Sequence, residues 1–370
     1  MEDFSEVTRT KIKILEEGVK FEPINLFSEL IKERNFKHKT IFKKPISDGK
    51  KVYDYSPRNE IIPSEILLSD TKDESIVKCR YSPGFSIELT WEEEKLKIYS
   101  NKEKLKLNVS LIKEYDVLQQ KINDESLVGD YVDVIGMDRI SLLLFEGCYN
   151  WICGKQCKFC DLHPKKVSEK ICKPTLNNLY KYDSVDEWWN SQKDQFFKNT
   201  NLALDKLLKN TNLKHKHLFI MAGNLTSCRT VWRFLIEFVD NLTKKFNLQD
   251  FDTIVNVCPH DSIESLKTLK KLGIKQVQYN LEIANKELFT TTCPGKINYE
   301  IFVNKLYEAV SIFGKGNVRS NFVLGLQDFS ELLNECNKFA ENGIVTDYSV
   351  FQPKENTPYS NLKAPEMRDV

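Results

Sequence analysis

Between Gly147 and Pro164 the chain reads G-C-Y-N-W-I-C-G-K-Q-C-K-F-C-D-L-H-P, and Cys153, Cys157 and Cys160 stand in it as C-x3-C-x2-C, with Phe159 just before the last. Thiolates are soft donors suited to iron–sulfur clusters and zinc. Three of them in one tight loop hold three irons of a [4Fe-4S] cluster and leave the fourth iron without a protein ligand. Such an iron can chelate a small molecule through an amine and a carboxylate and pass it an electron. Zinc is the competing reading. It takes four ligands, usually as two separated pairs, and no second C-x2-C or H-x3-H lies in the chain, although Cys148 at C-x4-C and His163 stand close in sequence. A disulfide staple is weaker, because three cysteines within eight residues leave one over.

The loop needs a scaffold, and the flanking sequence supplies one. Residues 140–145 (ISLLLF) form an unbroken apolar run of strand length leading into the cysteines, the pattern of a strand buried on both faces. The spacing then predicts a long helix over 185–209, a strand at 217–221 (HLFIM), a helix over 230–246 and a strand at 253–257 (TIVNV). Ser262 caps a further helix that ends at Gly273, followed by a strand at 275–281 (KQVQYNL) and a helix over 299–313. A strand at 318–324 (VRSNFVL), a helix over 329–341 closed at Gly343 and a strand at 347–351 (DYSVF) complete the series. This alternation predicts right-handed βαβ units and an α/β fold with a parallel sheet. Ligands in such sheets gather at the C-terminal ends of the strands, where the cysteine loop follows the first one.

The cysteine loop with its aromatic resembles the signature of the radical S-adenosylmethionine (SAM) superfamily, and the six strands resemble that family's partial (β/α)6 TIM-like barrel over about 136–359. The resemblance implies a cluster on Cys153, Cys157 and Cys160 whose open iron chelates SAM. It also implies an external flavodoxin- or ferredoxin-like electron donor, and cleavage of SAM to methionine and a 5′-deoxyadenosyl radical that removes hydrogen from a substrate.

Strand ends extend the likeness. Ala222-Gly223-Asn224-Leu225-Thr226 stands where the family has a Gly-Gly-Glu-like turn meeting the amino end of SAM. Gly223 allows close backbone approach and Asn224 offers an amide oxygen, but the acidic residue is missing, and an ordinary strand-to-helix turn explains Gly223 as well. Tyr279-Asn280-Leu281-Glu282 looks like the Asn-Leu-Asp/Glu segment of the biotin synthase and lipoyl synthase branch, which implies Glu282 on the ribose and Asn280 toward the substrate; a rim lysine is Glu282's alternative partner. Arg319 points inward on strand five and needs an anion, either SAM's carboxylate or Glu282. Gly325 is the one glycine kept of the family's adenine-facing segment, with Asp328 near its acidic position. Residues 351–358 look like the proline-bearing loop that closes the adenine pocket, or a rigid turn.

Cys293-Pro294-Gly295-Lys296 either carries a thiolate or a lysine into the barrel mouth or is a plain Pro-Gly turn. Tyr149 and Trp151 read as hydrophobic anchors. Sulfur insertion in the biotin and lipoyl branch uses a second cluster, and no further tight cysteine grouping stands here. The substrate therefore stays open among cofactor or natural-product precursors, peptides and RNA. A zinc-stabilised barrel acting as a non-redox binding module is the alternative of a different class.

Composition is consistent with an enzyme of a reducing, cytoplasmic compartment: 370 residues, net charge +1 from 54 basic and 53 acidic side chains, and ten irregularly spaced cysteines. Basic stretches at 37–51 and 206–216 read as solvated faces, and no secretory h-region or transmembrane run is present. Before residue 131 the pattern changes. Residues 75–82, 85–91 and 95–107 alternate polar and apolar, parted by Pro83-Gly84 and a charged turn at 92–94, which predicts a small antiparallel sheet in an N-terminal extension over 1–130. Residues 1–62 are polar, with a short helical patch at 24–34, and are expected to drape on the barrel of 131–370. Strand six should be followed by a helix, yet only 360–370 remain, so the barrel's last layer is expected to lie outside this sequence or to come from elsewhere.

Overall fold

The computed structural model describes residues 4–40, 61–79, 86–164, 172–213, 215–354 and 356–365. It divides into two compact units, 115–349 and 1–114 with 350–370. The larger unit is built on a seven-stranded sheet: Asp133–Ile135 (β1), Arg139–Leu143 (β2), His217–Met221 (β3), Asp252–Asn256 (β4), Gln276–Gln278 (β5), Val318–Leu324 (β6) and Ile344–Val350 (β7) in spatial order. Strands β2 to β6 pair in parallel, with Arg139 opposite His217 and His217 opposite Asp252. The sheet curls into a half-barrel. Helices cross between strands: Val185–Asn190 (α2) and Lys193–Asn210 (α3) after a one-turn helix Tyr149–Ile152 (α1), then Cys228–Thr243 (α4), Ile263–Lys271 (α5), Lys286–Thr292 (α6), Tyr299–Phe313 (α7) and Phe329–Glu341 (α8).

Three features depart from the expectation. An extra strand, β1, pairs antiparallel with β2 across a turn in which Gly136 has φ 65°. The helix expected over 185–209 breaks at Ser191-Gln192, where both side chains donate to the Trp188 carbonyl and end α2. Strand β5 stops at Gln278, and the reason lies in the next four residues. Tyr279 N donates to Arg319 O at 3.0 Å, but Leu281 N turns to the Ser320 hydroxyl and Glu282 N takes Asn321 O instead. One extra residue is thereby inserted opposite β6, a bulge, and Glu282 sits at φ 72°.

The helix-facing side of the sheet, with Ile140, Leu142, Ile220, Val277 and Phe322, packs into one core with Trp189, Phe234 and Phe339 of the helices. Phe219, Ile254 and Val323 point to the other side and stay out of that core, among Ser141, Asn256, Gln278 and Asn321.

The smaller unit has its own core, including Ile14, Phe27, Leu68, Leu89 and Ile98. Helices Glu6–Glu17 and Ile24–Arg34 contribute to that core. The alternating runs also fall into two sheets instead of one. Ile87–Glu92 and Lys95–Ser100 form a hairpin with Glu93 and Glu94 at positive φ, flanked by Lys20–Glu22 in parallel. Glu74–Lys78 instead pairs with Glu65–Ser69, whose Ile66 and Leu68 give it an apolar partner strand. The Pro83-Gly84 turn and residues 41–51 of the basic stretch lie outside the described residues. Residues 115–130 join the barrel unit and not the extension, because Val117, Leu118 and Val128 are buried in the barrel's core. No described helix is long and apolar enough to cross a membrane.

Candidate active site at the mouth of the half-barrel

The cysteine loop begins where β2 ends. Gly147 at φ 94° turns the chain against Pro164, and Cys148 leads into the single turn of α1. The turn after β3 clamps this start: Asn224 N donates to the Cys148 sulfur at 3.3 Å and Tyr149 N to Asn224 O at 2.8 Å. A Cβ on Gly223 would stand 2.3 Å from Gly147 O, so the space a side chain would take is filled by the loop itself. Gly223 and Asn224 are thus brought to the cysteines through their backbones.

The loop's other wall is the segment after α6. Lys158 N donates to Thr292 O at 2.9 Å, and a Cβ on Gly295 would stand 2.4 Å from Lys155 O and from the Asn150 side chain. Cys293, only 1 % exposed, meets Cys157 thiol to thiol. This contact, with burial, raises the Cys157 thiol above its ordinary range, while the Lys296 ammonium opposes the rise. Burial pushes Cys160 up to about 12 and also raises Cys148. Cys153 behaves differently. It is exposed, and its thiol donates to the carbonyls of Tyr149 at 3.3 Å and Asn150 at 3.7 Å. Cys157 and Cys160 are half-buried and Cys153 is exposed, and among the described residues no three metal-ligating side chains close on one point. His163 is engaged edge-on with the Trp151 ring at 5.3 Å.

Across the mouth, the bulge sets Glu282. Its carboxylate accepts from Asn321 Nδ2 at 3.1 Å and lies 3.5 Å from Lys296 Nζ, with side-chain exposures of 12 % and 14 %. Lys296 also donates to Asn280 O and rests 5.6 Å over the Phe302 ring. Burial works against the ammonium, but Glu282 and then the thiols of Cys157, Cys293 and Cys160 outweigh it and raise its pKa. Asn280 Oδ1 accepts from Gln278 at 2.9 Å, and Ser349 donates to Asn321 at 3.0 Å. Carboxamides and hydroxyls thus line this side of the sheet.

Arg319 is held within the sheet. Its guanidinium forks onto Asp347 of β7 at 2.9 and 2.5 Å, and not onto Glu282. It stands second in β6, five residues before the strand's end, and acts on His217 at the start of β3. Asp328 caps α8 by accepting from Glu331 N at 3.0 Å, which accounts for its carboxylate. Gly325 follows β6 at φ 88°.

One residue of the site, Gln327, carries no motif, and another, Lys296, reads two ways. Gln327 Oε1 accepts from Ala284 N at 2.6 Å and its Nε2 donates to Glu282 O at 3.3 Å, tying the turn after β6 to the bulge. Lys296 is read from sequence either as a lysine carried into the barrel mouth or as part of a plain Pro-Gly turn, and the fold sets it 3.5 Å from Glu282.

No family model and no curated protein matches the chain. Solved structures similar to it include a HydG maturase of the [FeFe]-hydrogenase, at 15 % identity and TM-score 0.43 over 65 % of this chain and 48 % of that one. Methylornithine synthase (PylB) matches at 14 % identity and TM-score 0.40 over 65 % and 59 %. Coproporphyrinogen III oxidase (HemN) from Escherichia coli, described as a radical SAM enzyme, matches at 14 % identity and TM-score 0.41 over 65 % and 52 %. The chain spans about half the length of these structures.

Proposed function

We propose that the chain is a radical SAM enzyme that works at a [4Fe-4S] cluster in the mouth of its half-barrel. The observation that carries the reading is the placement of the C-x3-C-x2-C loop directly after the first parallel strand, walled by the Gly223 turn and facing Glu282 and Lys296. The donor set fits the group by its chemistry: three soft thiols in eight residues of one loop, Cys157 and Cys160 half-buried and Cys153 exposed. Cys153, Cys157 and Cys160 would hold the cluster. Bound there, it supplies reductive cleavage of SAM to methionine and a 5′-deoxyadenosyl radical that takes hydrogen from a substrate.

The chain's own residues do the rest. Glu282, aimed by the bulge and steadied by Asn321, has carboxylate oxygens that would accept the ribose hydroxyls of SAM. The Gly223-Asn224 turn holds the loop at the distance its backbone bonds set, and Gly325 opens the turn after β6. Asn280, Gln278, Asn321 and Ser349 offer the substrate amide and hydroxyl partners. The Arg319 charge is balanced by Asp347, and this suits an uncharged polar group in the barrel more than a carboxylate or phosphate. An external electron donor completes the reaction.

Anaerobic reconstitution tests this. The protein should turn brown with about four irons and four sulfides per chain and release 5′-deoxyadenosine from SAM on reduction. Replacing Cys157 by Ala should abolish colour and cleavage together, since two thiolates do not retain the cluster. A colourless protein with one zinc per chain would be a binding module and not this enzyme.

A further inference from the structure

The segment Cys293-Pro294-Gly295-Lys296 is pressed against the cysteine loop more tightly than a plain turn requires. Its glycine has no room for a methyl group, and a backbone bond from Lys158 to Thr292 fastens its approach. What this packing delivers is a charge. The Lys296 ammonium is drawn in from solvent, 3.5 Å from Glu282 and held by Asn280 O, on the turn that packs against Lys155 and Lys158 of the cysteine loop. Withdrawing an ammonium from water is costly unless negative charge compensates it. Among the described residues Glu282 is the carboxylate that answers that cost. A thiolate-bound centre in the adjoining loop would add a second source of negative charge, and an electron added to that centre increases it.

We infer that Lys296 is an electrostatic positioning residue for the thiolate centre, favouring its assembly and its reduced state, with Glu282 opposing it. The inference rests on the cluster reading proposed above. Net charge and nearby dipoles set the potentials of thiolate-bound iron, and a cation in a poorly solvated site acts with little screening. Lys296 does not touch reacting atoms in this role. It sets the field in which they sit.

The test is a potentiometric titration of the reconstituted, SAM-free protein followed by electron paramagnetic resonance, with iron content measured on the same samples. Relative to the unaltered protein, Lys296→Met should move the midpoint to more negative potential, Lys296→Arg should leave it close to its original value, and Glu282→Gln should move it to more positive potential. A folded Lys296→Met protein that no longer retains iron, with retention restored in Lys296→Arg, supports the same role. If Lys296→Met does not fold, the Glu282→Gln shift decides, and its absence overturns the inference. Equal midpoints in all variants, or shifts of the same sign for Lys296→Met and Glu282→Gln, also overturn it. An unaltered protein that assembles no cluster sinks the proposed function itself, whereas a normal cluster with an unmoved potential sinks only the role of Lys296.

Discussion

His260 shows how far a single side chain here depends on its surroundings. Its ring is buried, with Nε2 2.9 Å from the Glu308 carboxylate and Nδ1 3.3 Å from the Tyr279 hydroxyl. A proton on Nε2 satisfies both contacts in the neutral imidazole. Burial holds its pKa below the ordinary 6.5 despite the pull of Glu308, and Lys305 adds to the lowering. The unfolded chain therefore binds this proton more readily than the folded one. Stability is intact above pH 6.5 and falls as pH drops through that value. The midpoint of denaturant unfolding should decline between about pH 7.5 and about pH 5.5, and His260→Gln should flatten the slope. Glu308, held below its ordinary 4.5 chiefly by Lys305, changes charge outside that window. An unchanged slope in the variant would assign the dependence to another group. Arg319 teaches the converse: an inward arginine on a strand was legible, but its anion is Asp347 on the neighbouring strand, 28 residues away, and no local pattern announces that pairing.

At the scale of elements, the site is made by turns. The Gly223 turn and the Gly295 turn grip the cysteine loop from two sides, each at a point where a Cβ would collide with backbone. Gly223→Ala should cost about 1–3 kcal/mol of stability through overpacking. Its iron retention should fall in parallel, because the displaced partner is Gly147-Cys148. Denaturant unfolding and iron analysis of the variant check both, and a fully stable, fully loaded protein would show that the loop shifts freely. The bulge at 279–282 has the same character. One additional residue moves Glu282 N onto Asn321 O and brings its carboxylate to Asn321 and Lys296. The alternation of polar and apolar residues marks the strand, but a bulge leaves that pattern nearly unchanged, so the run 275–281 read as one regular strand.

The whole molecule is two cores on one chain, and the C-terminal segment crosses between them in sequence. After β7 the chain leaves the barrel unit, and 350–370 group with 1–114. Phe351 and Thr357 are buried, and the Phe351 ring meets Tyr359 edge-on. Removing the residues after Val350 should thus weaken hydrogen-exchange protection in the strands between 61 and 111 while leaving β2 to β6 protected. Protection lost equally in both units would contradict that division. The near-balanced charge, +1 overall, gives the molecule no net field for drawing in nucleic acid or membrane surfaces.

Local chemistry determined much of this protein. Strand-length apolar runs, helix periods and caps such as Ser262 are short-range signals, and the strand 217–221, the helices 299–313 and 329–341 and the strand 318–324 form over the stretches where those signals lie. The spacing of Cys153, Cys157 and Cys160 belongs to the same class, since three donors in one loop need no distant partner to be recognised. Tertiary structure alone decided which charges meet. Lys296 reaches Glu282, Arg319 reaches Asp347, and Gln327 ties the bulge, because burial makes each polar group find a partner wherever the folded chain brings one.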